Sequence, residues 1–309
     1  MKKFPWLKNL DYRAVAGILL GVVIIQTFFL VKTQLQAEKK KAIPPAKVSI
    51  EKIKEPPKPT AKIVTPLPKP QPRQVSPAQV SPARSSRGKI AVIVDDSGYN
   101  NRDCHYLKEI PYPVTVSILP DLTYSREIAQ CAHDAQKEVM LHLPLESYES
   151  HEEYPKNYII TIDMPKGLII DRLEESLRSV PYASGLNNHM GSKATENQRM
   201  MKILFTQLQG KNLFFVDSKV TSKSVAPKFA RRAKLPFAER DVFLDNVNER
   251  SAIEAQFQEL AQIAERHGSA IAIGHARTLT WEIIKEQAEK LTREGFEFVP
   301  VKTIINENK

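Results

Sequence analysis

A chain of 309 residues, 42% hydrophobic and 26% charged, is long enough for one large α/β domain or two average ones. Its net charge of +10 is unevenly placed: residues 1–43 carry +6, residues 44–87 carry +7, and residues 88–309 are left with −3. The basic character therefore belongs to the N-terminal third, which excludes a nucleic-acid-binding reading of the globular part. Cys104 and Cys131 are the only cysteines, too few for a disulfide framework and not spaced as metal ligands. One bridge between them could form in an oxidising compartment, though nothing in their spacing argues for it.

Residues 1–13 form a basic head with Lys2, Lys3, Lys8 and Arg13. From Ala14 to Val31 the chain carries no charge, and only Gln26 and Thr27 interrupt the apolar run. As a helix this stretch rises about 27 Å, close to the roughly 30 Å hydrocarbon core of a bilayer. No small-x-small cleavage site follows it, so it predicts an uncleaved signal anchor rather than a removed signal peptide. The flanking charges are balanced by Lys32 and Lys39–Lys41. A short basic head before an anchor normally stays in the cytoplasm, which exports the rest. That places the chain in a bacterial inner membrane as a single-pass protein, with its C-terminal domain in the periplasm or on the outer face. Residues 32–87 read as a Pro/Lys-rich linker. Positions 44–87 hold eleven of the 22 prolines and no glycine, a composition for a stiff, unpacked spacer reaching on the order of 100 Å.

From position 88 onward, short apolar runs alternate with helical spacing. Lys89–Val94 is rich in β-branched residues and ends in Asp95, Asp96, Ser97 and Gly98, which predicts a strand buried on both faces of a parallel sheet. Further strands are expected at 114–119, 138–141, 183–186, 213–216, 242–244, 269–273 and 296–300. Helices are expected at 123–136 with Thr123 as N-cap, at 163–180, 195–209, 225–233, 249–267 and 280–293. Alternation of this kind predicts a parallel α/β sheet, closed into a distorted barrel of seven or eight strands.

The titratable residues follow the strand ends. Asp95, Asp96, His142, His189, Asp217, Asp245 and His275 each follow a short apolar run, and in a parallel barrel those ends share one rim. Imidazole and carboxylate groups from separate strands suit a divalent ion, zinc being the usual choice. Asp96, His142 and His189 could supply three ligands, with Asp95 as base and His275 as acid for a leaving amine. Asp217 reads either as a residue orienting a ligand imidazole or as the cap of the next helix, and Asp245 as a turn or cap residue. His105, His133, His151 and His267 fall on helices or loops and read as structural.

Asp95-Asp96-Ser97-Gly98, His142-Leu-Pro-Leu-Glu146, Asn187-Asn188-His189-Met190-Gly191-Ser192, Arg240-Asp241-Val-Phe-Leu-Asp245 and Ile273-Gly274-His275 together resemble the divergent polysaccharide deacetylase family. That family is related to the NodB-like carbohydrate esterases, metal-dependent enzymes on a distorted (β/α) barrel that remove N- or O-acetyl groups from glycans. The resemblance covers the chain from Lys89 onward. It implies Asp95 as base, Asp96 as metal ligand and His275 as the acid-side histidine. The related enzymes place two ligand histidines four residues apart; here Glu146 stands at that spacing from His142, so the second histidine would be His189. Asn188, Ser192, Glu146, Arg240 and Asp217 are the candidates to support the ligands or touch substrate. The implied substrate is peptidoglycan or another acetylated polysaccharide. The alternative is a catalytically inactive glycan- or protein-binding module of the envelope. A phosphoesterase ranks lower, because no Gly-rich phosphate cradle is present.

Overall fold

A computed structural model of the protein describes residues 86–149 and 158–307. The basic head, the proposed anchor at 14–31, almost all of the linker and His151 lie outside the described residues. Among the described residues no helix is long and apolar enough to cross a membrane.

The strands are β1 (Lys89–Ser97), β2 (Thr115–Ile118), β3 (Glu138–Leu145), β4 (Gly185–Met190), β5 (Phe214–Asp217), β6 (Phe237–Glu239), β7 (Val242–Phe243), β8 (Ser269–His275) and β9 (Glu297–Phe298). They form one sheet in the order β6-β5-β4-β3-β2-β1-β8-β7, with β9 beside the start of β1. Every pairing is parallel. The two outer strands are halves of one extended segment. Its first half pairs with β5 and its second with β8, and between them Arg240 N donates to Asp217 O while Asp241 N donates to Ile271 O. This segment links the two edges of the sheet, which curls into a parallel α/β half-barrel rather than a fully hydrogen-bonded closed one. The sequence-based strand at 242–244 is its second half; the first half escaped notice because Phe237-Ala-Glu is too short to show a period.

Strand alternation sorts inside from outside. Ala91 and Ile93, Met140, Phe214 and Val216, and Ile271 and Ile273 form a compact inner cluster. The alternate residues, such as Ile90, Val92 and Val94, pack outward into the larger core shared with the helices. Continued by two positions, the inner rows reach Asp95, His142, Ser218 and His275. The inner rows are thus mostly apolar, with Thr115 and Ser117 of β2 as buried polar members, and they turn polar at one mouth. The opposite end is stoppered by the helix Val301–Glu307, whose Val301, Ile304 and Ile305 belong to the inner cluster. The described chain enters at that stoppered end, where Arg87 pairs with Glu265 at 2.8 Å and lies 4.7 Å over the Phe296 ring.

The remaining helices are α1 (Arg102–Glu109), α2 (Ser125–Asp134), α3 (Lys166–Ser179), α4 (Ser192–Glu196), α5 (Gln198–Gly210), α6 (Ala226–Ala233), α7 (Arg250–His267) and α8 (Thr278–Arg293). Thr123 caps nothing, since α2 begins after Tyr124 without a side-chain cap bond. The helix expected at 195–209 is divided at Asn197, whose side chain accepts from Met200 N and starts α5. Cys104 of α1 and Cys131 of α2 form a disulfide, with Cα atoms 5.7 Å apart. Spacing alone gave no reason to expect it, because helix packing rather than sequence separation brings the two together.

Candidate active site

Adjacent residues on a strand point to opposite faces, so Asp95 and Asp96 should not share a pocket. A bulge solves this. The β1–β2 register shifts between Val94 and Ser97, and Asp96 takes a left-handed backbone with φ 62°. Such a conformation costs on the order of 1–3 kcal/mol away from glycine, and asparagine and aspartate adopt it more readily than most residues. Both carboxylates then face the mouth. At the end of β4, Met190 (φ 54°) and Gly191 (φ 90°) turn the chain sharply into α4. Gly191 cannot acquire a side chain without meeting Leu145 Cβ at 3.0 Å.

The three expected ligands converge. Asp96 Oδ1 lies 3.0 Å from His189 Nδ1 and 3.3 Å from His142 Nε2, and the two nitrogens are 3.2 Å apart. A tetrahedral ion with bonds of about 2.1 Å has ligand–ligand edges of about 3.4 Å, so the nest has the right size without rearrangement. Asp96 Oδ1 is buried and accepts no well-formed hydrogen bond, a costly state unless another positive partner satisfies it. The residues present therefore fit a divalent ion. Burial would raise the Asp96 carboxyl, but the contacts to His142 and His189 outweigh it and hold Asp96 well below the ordinary carboxylate range. Burial dominates at His189 and pushes it down; at His142 the Asp95 and Asp96 charges overcome burial and push it up.

Two further groups flank the nest. Asp95 Oδ2 is 3.6 Å from His142 Nε2, and burial raises the Asp95 carboxyl above its usual value. Across the mouth, His275 Nε2 is 3.8 Å from Asp96 Oδ2. Its Nδ1 lies 2.9 Å from Asp245 Oδ1, while Asp245 Oδ2 accepts from His275 N and from the Thr280 hydroxyl. Burial would lower the imidazole, yet the Asp245 hydrogen bond and the Asp96 charge leave His275 raised. Asp245 is lowered against its own burial by the same bond. The reading of Asp245 as a turn or cap residue is thus corrected: it is fully buried and orients His275.

The supporting candidates divide. Asn188, Ser192 and Arg240 line the mouth, a cleft of about 780 Å³ that also takes in Tyr99 and Phe243. Arg240 Nε donates to Ser218 O at 2.8 Å, and its guanidinium lies 4.9 Å over the Phe243 ring. Glu146 is not at the site. Its carboxylate takes Lys193 Nζ at 2.6 Å and Ile162 N at 2.7 Å, tying the segment around Ile162 to α4. Asp217 orients no histidine and caps no helix; it accepts from Lys219 N and the Ser224 hydroxyl and ties its own loop, while α6 starts after Val225 without a side-chain cap bond. The residue that sequence reasoning missed is Asn187, fully buried, with its amide on Asp95 and its carbonyl oxygen facing His142. The signal was available, because positions 187 and 189 share one face of β4.

A parallel barrel whose strand ends gather three histidines and two aspartates at one mouth defines a deacetylase-like α/β-barrel domain. The chain belongs to the divergent polysaccharide deacetylase family, whose profile matches residues 92–305. It is 33% identical over 220 residues to the uncharacterised protein YibQ of Escherichia coli, an alignment covering 71% of this chain and 68% of that one. An uncharacterised protein of Haemophilus influenzae is 34% identical over 200 residues, 65% of this chain and 71% of that one. In shape, the chain resembles the crystal structure of the uncharacterised Agrobacterium tumefaciens protein ATU2773. The TM-score is 0.68 at 23% identity, over 72% of this chain and 92% of that one.

Proposed function

We propose that this protein is a metal-dependent deacetylase that removes acetyl groups from a glycan of the cell envelope, tethered to the bacterial inner membrane by residues 14–31. The observation that carries the reading is the convergence of Asp96, His142 and His189 between a buried carboxylate and an aspartate-held imidazole. Zinc suits two imidazoles and a carboxylate; when bound, such an ion polarises a carbonyl and acidifies water. Asp95, more basic through burial, takes the proton from the attacking water. His275, raised by its Asp245 hydrogen bond and the Asp96 charge against its own burial, delivers a proton to the departing amine or alcohol. Both groups are raised by their surroundings, which makes Asp95 a better base and helps His275 keep the proton it must give. Arg240 and Phe243 line the cleft beside these groups. The Cys104–Cys131 disulfide suits an oxidising compartment outside the cytoplasm, which agrees with an exported domain behind an anchor and spacer.

The test uses the full-length chain purified in detergent. Zinc content and acetate release are measured on peptidoglycan fragments and on chitooligosaccharides. The expected result is bound zinc and released acetate, both lost in Asp96→Ala. Glycan binding with no acetate released would instead establish the non-catalytic binding module.

A further inference from the structure

Asn187 is fully buried on β4, and its side chain lies against both the Asp95 carboxylate and the His142 imidazole. Its Nδ2 lies 2.8 Å from Asp95 Oδ1, 3.0 Å from Asp95 Oδ2 and 3.2 Å from Ser218 Oγ. Its Oδ1 accepts from Ser117 Oγ at 2.5 Å and lies 2.8 Å from His142 Nδ1. An amide has one acceptor end and one donor end. Turned round, its oxygen would face both oxygens of the Asp95 carboxylate and its NH₂ would face the Ser117 hydroxyl and His142. The carboxylate therefore fixes which way the amide points. With an oxygen fixed opposite Nδ1, His142 carries its proton there, and Nε2 is left as a lone pair aimed at Asp96 and His189.

We propose that Asn187 is a positioning residue that joins the two functions of this site: its nitrogen anchors the Asp95 carboxylate, and its oxygen selects the His142 tautomer able to ligate an ion. The inference rests on reading the site as a metal-dependent deacetylase, and it adds a residue through which base and ligand are set together. Partners that orient ligating imidazoles in this way typically change metal affinity by roughly 10- to 100-fold when removed.

The experiment uses the full-length chain with ¹⁵N-labelled histidine. Long-range ¹H–¹⁵N NMR of the metal-free protein, at a pH where the imidazoles are neutral, reads the His142 tautomer directly. Chelator competition reads zinc affinity. The wild type is expected to show the Nδ1–H form. Asn187→Leu, close in volume, is expected to populate the Nε2–H form and to weaken zinc roughly 10- to 100-fold. Asn187→Asp keeps an oxygen for Nδ1–H, so the His142 tautomer stays as in the wild type. Its second oxygen meets the Asp95 carboxylate, the two carboxyls share a proton, and acetate release falls by roughly 10²-fold. An Nε2–H tautomer in the wild type, or wild-type zinc affinity in a folded Asn187→Leu, overturns the proposal. The NMR arm needs neither turnover nor metal, so failure of this assignment and failure of the deacetylase reading give different results.

Discussion

Replacing Asp245 with asparagine separates acid catalysis from metal binding. Asp245 is fully buried and touches His275 Nδ1, His275 N and Thr280 Oγ1 at 2.7–2.9 Å, but none of Asp96, His142 or His189. Asparagine keeps the shape and one acceptor, so Thr280 and the backbone amide stay satisfied while the charge opposite His275 disappears. One charge-assisted hydrogen bond is worth about 1.5–3 kcal/mol. In a domain of this size that corresponds to a Tm loss of roughly 3–12 °C. The loss depends on pH with a determined sign. His275 has a raised folded pKa, so its share of the stability is complete below the ordinary histidine value near 6.5 and fades as pH rises through the folded value. Asp245 has a lowered folded pKa, so its share is complete above the ordinary carboxylate value near 3.9 and fades as pH falls through the folded value. The Tm gap between wild type and Asp245→Asn is therefore widest between about pH 4 and 6.5 and narrows on both sides. Acetate release should fall by roughly 10²- to 10⁴-fold with zinc content unchanged. Scanning calorimetry across pH, zinc analysis and an acetate assay read these three quantities. Turnover within a few-fold of wild type in a folded, zinc-loaded variant refutes the acid role of His275.

Other expectations follow from single contacts. Asp96→Asn tolerates the left-handed backbone and leaves the fold intact by circular dichroism, while bound zinc measured by plasma mass spectrometry drops from about one per chain to none. Removing the Cys104–Cys131 bridge, which spans 27 positions, by a double alanine substitution should cost about 3.5 kcal/mol on loop-closure entropy. Zinc affinity should not change, and an unchanged Tm under non-reducing conditions would show that the bridge is absent in solution. Glu146→Gln, at the position where related enzymes carry a ligand histidine, should lose the Lys193 ion pair and no more than about 1 kcal/mol. It should retain full zinc occupancy; loss of zinc would return Glu146 to the site.

The barrel was legible because each strand is an apolar run terminated by polar residues, and parallel connectivity alone sends those terminations to one rim. That inference brings Asp95, Asp96, His142, His189 and His275 together from the sequence pattern alone. Three things escaped it. The bulge at Asp96 is a backbone event, and an Asp-Asp pair reads the same whether or not the second residue turns back toward the pocket. Asp245 and Asp217 have the same local signature, an acid after a short apolar run. Only tertiary contact shows that one reaches His275 and the other ties its own loop. Asn187 was passed over for Asn188 because adjacent amides look alike until strand phase is counted from His189. Glu146 erred the other way: its family spacing from His142 suggested a site residue, yet in this chain that position faces Lys193.

The central claim is that Asp96, His142 and His189 hold one divalent ion. Zinc-edge X-ray absorption on the zinc-loaded full-length protein tests it most directly. The account predicts two imidazole nitrogens and a carboxylate oxygen at about 2.0–2.2 Å, with one imidazole lost in His189→Ala. A chain that takes up no zinc, or a metal with the same two imidazoles after His189→Ala, would contradict it.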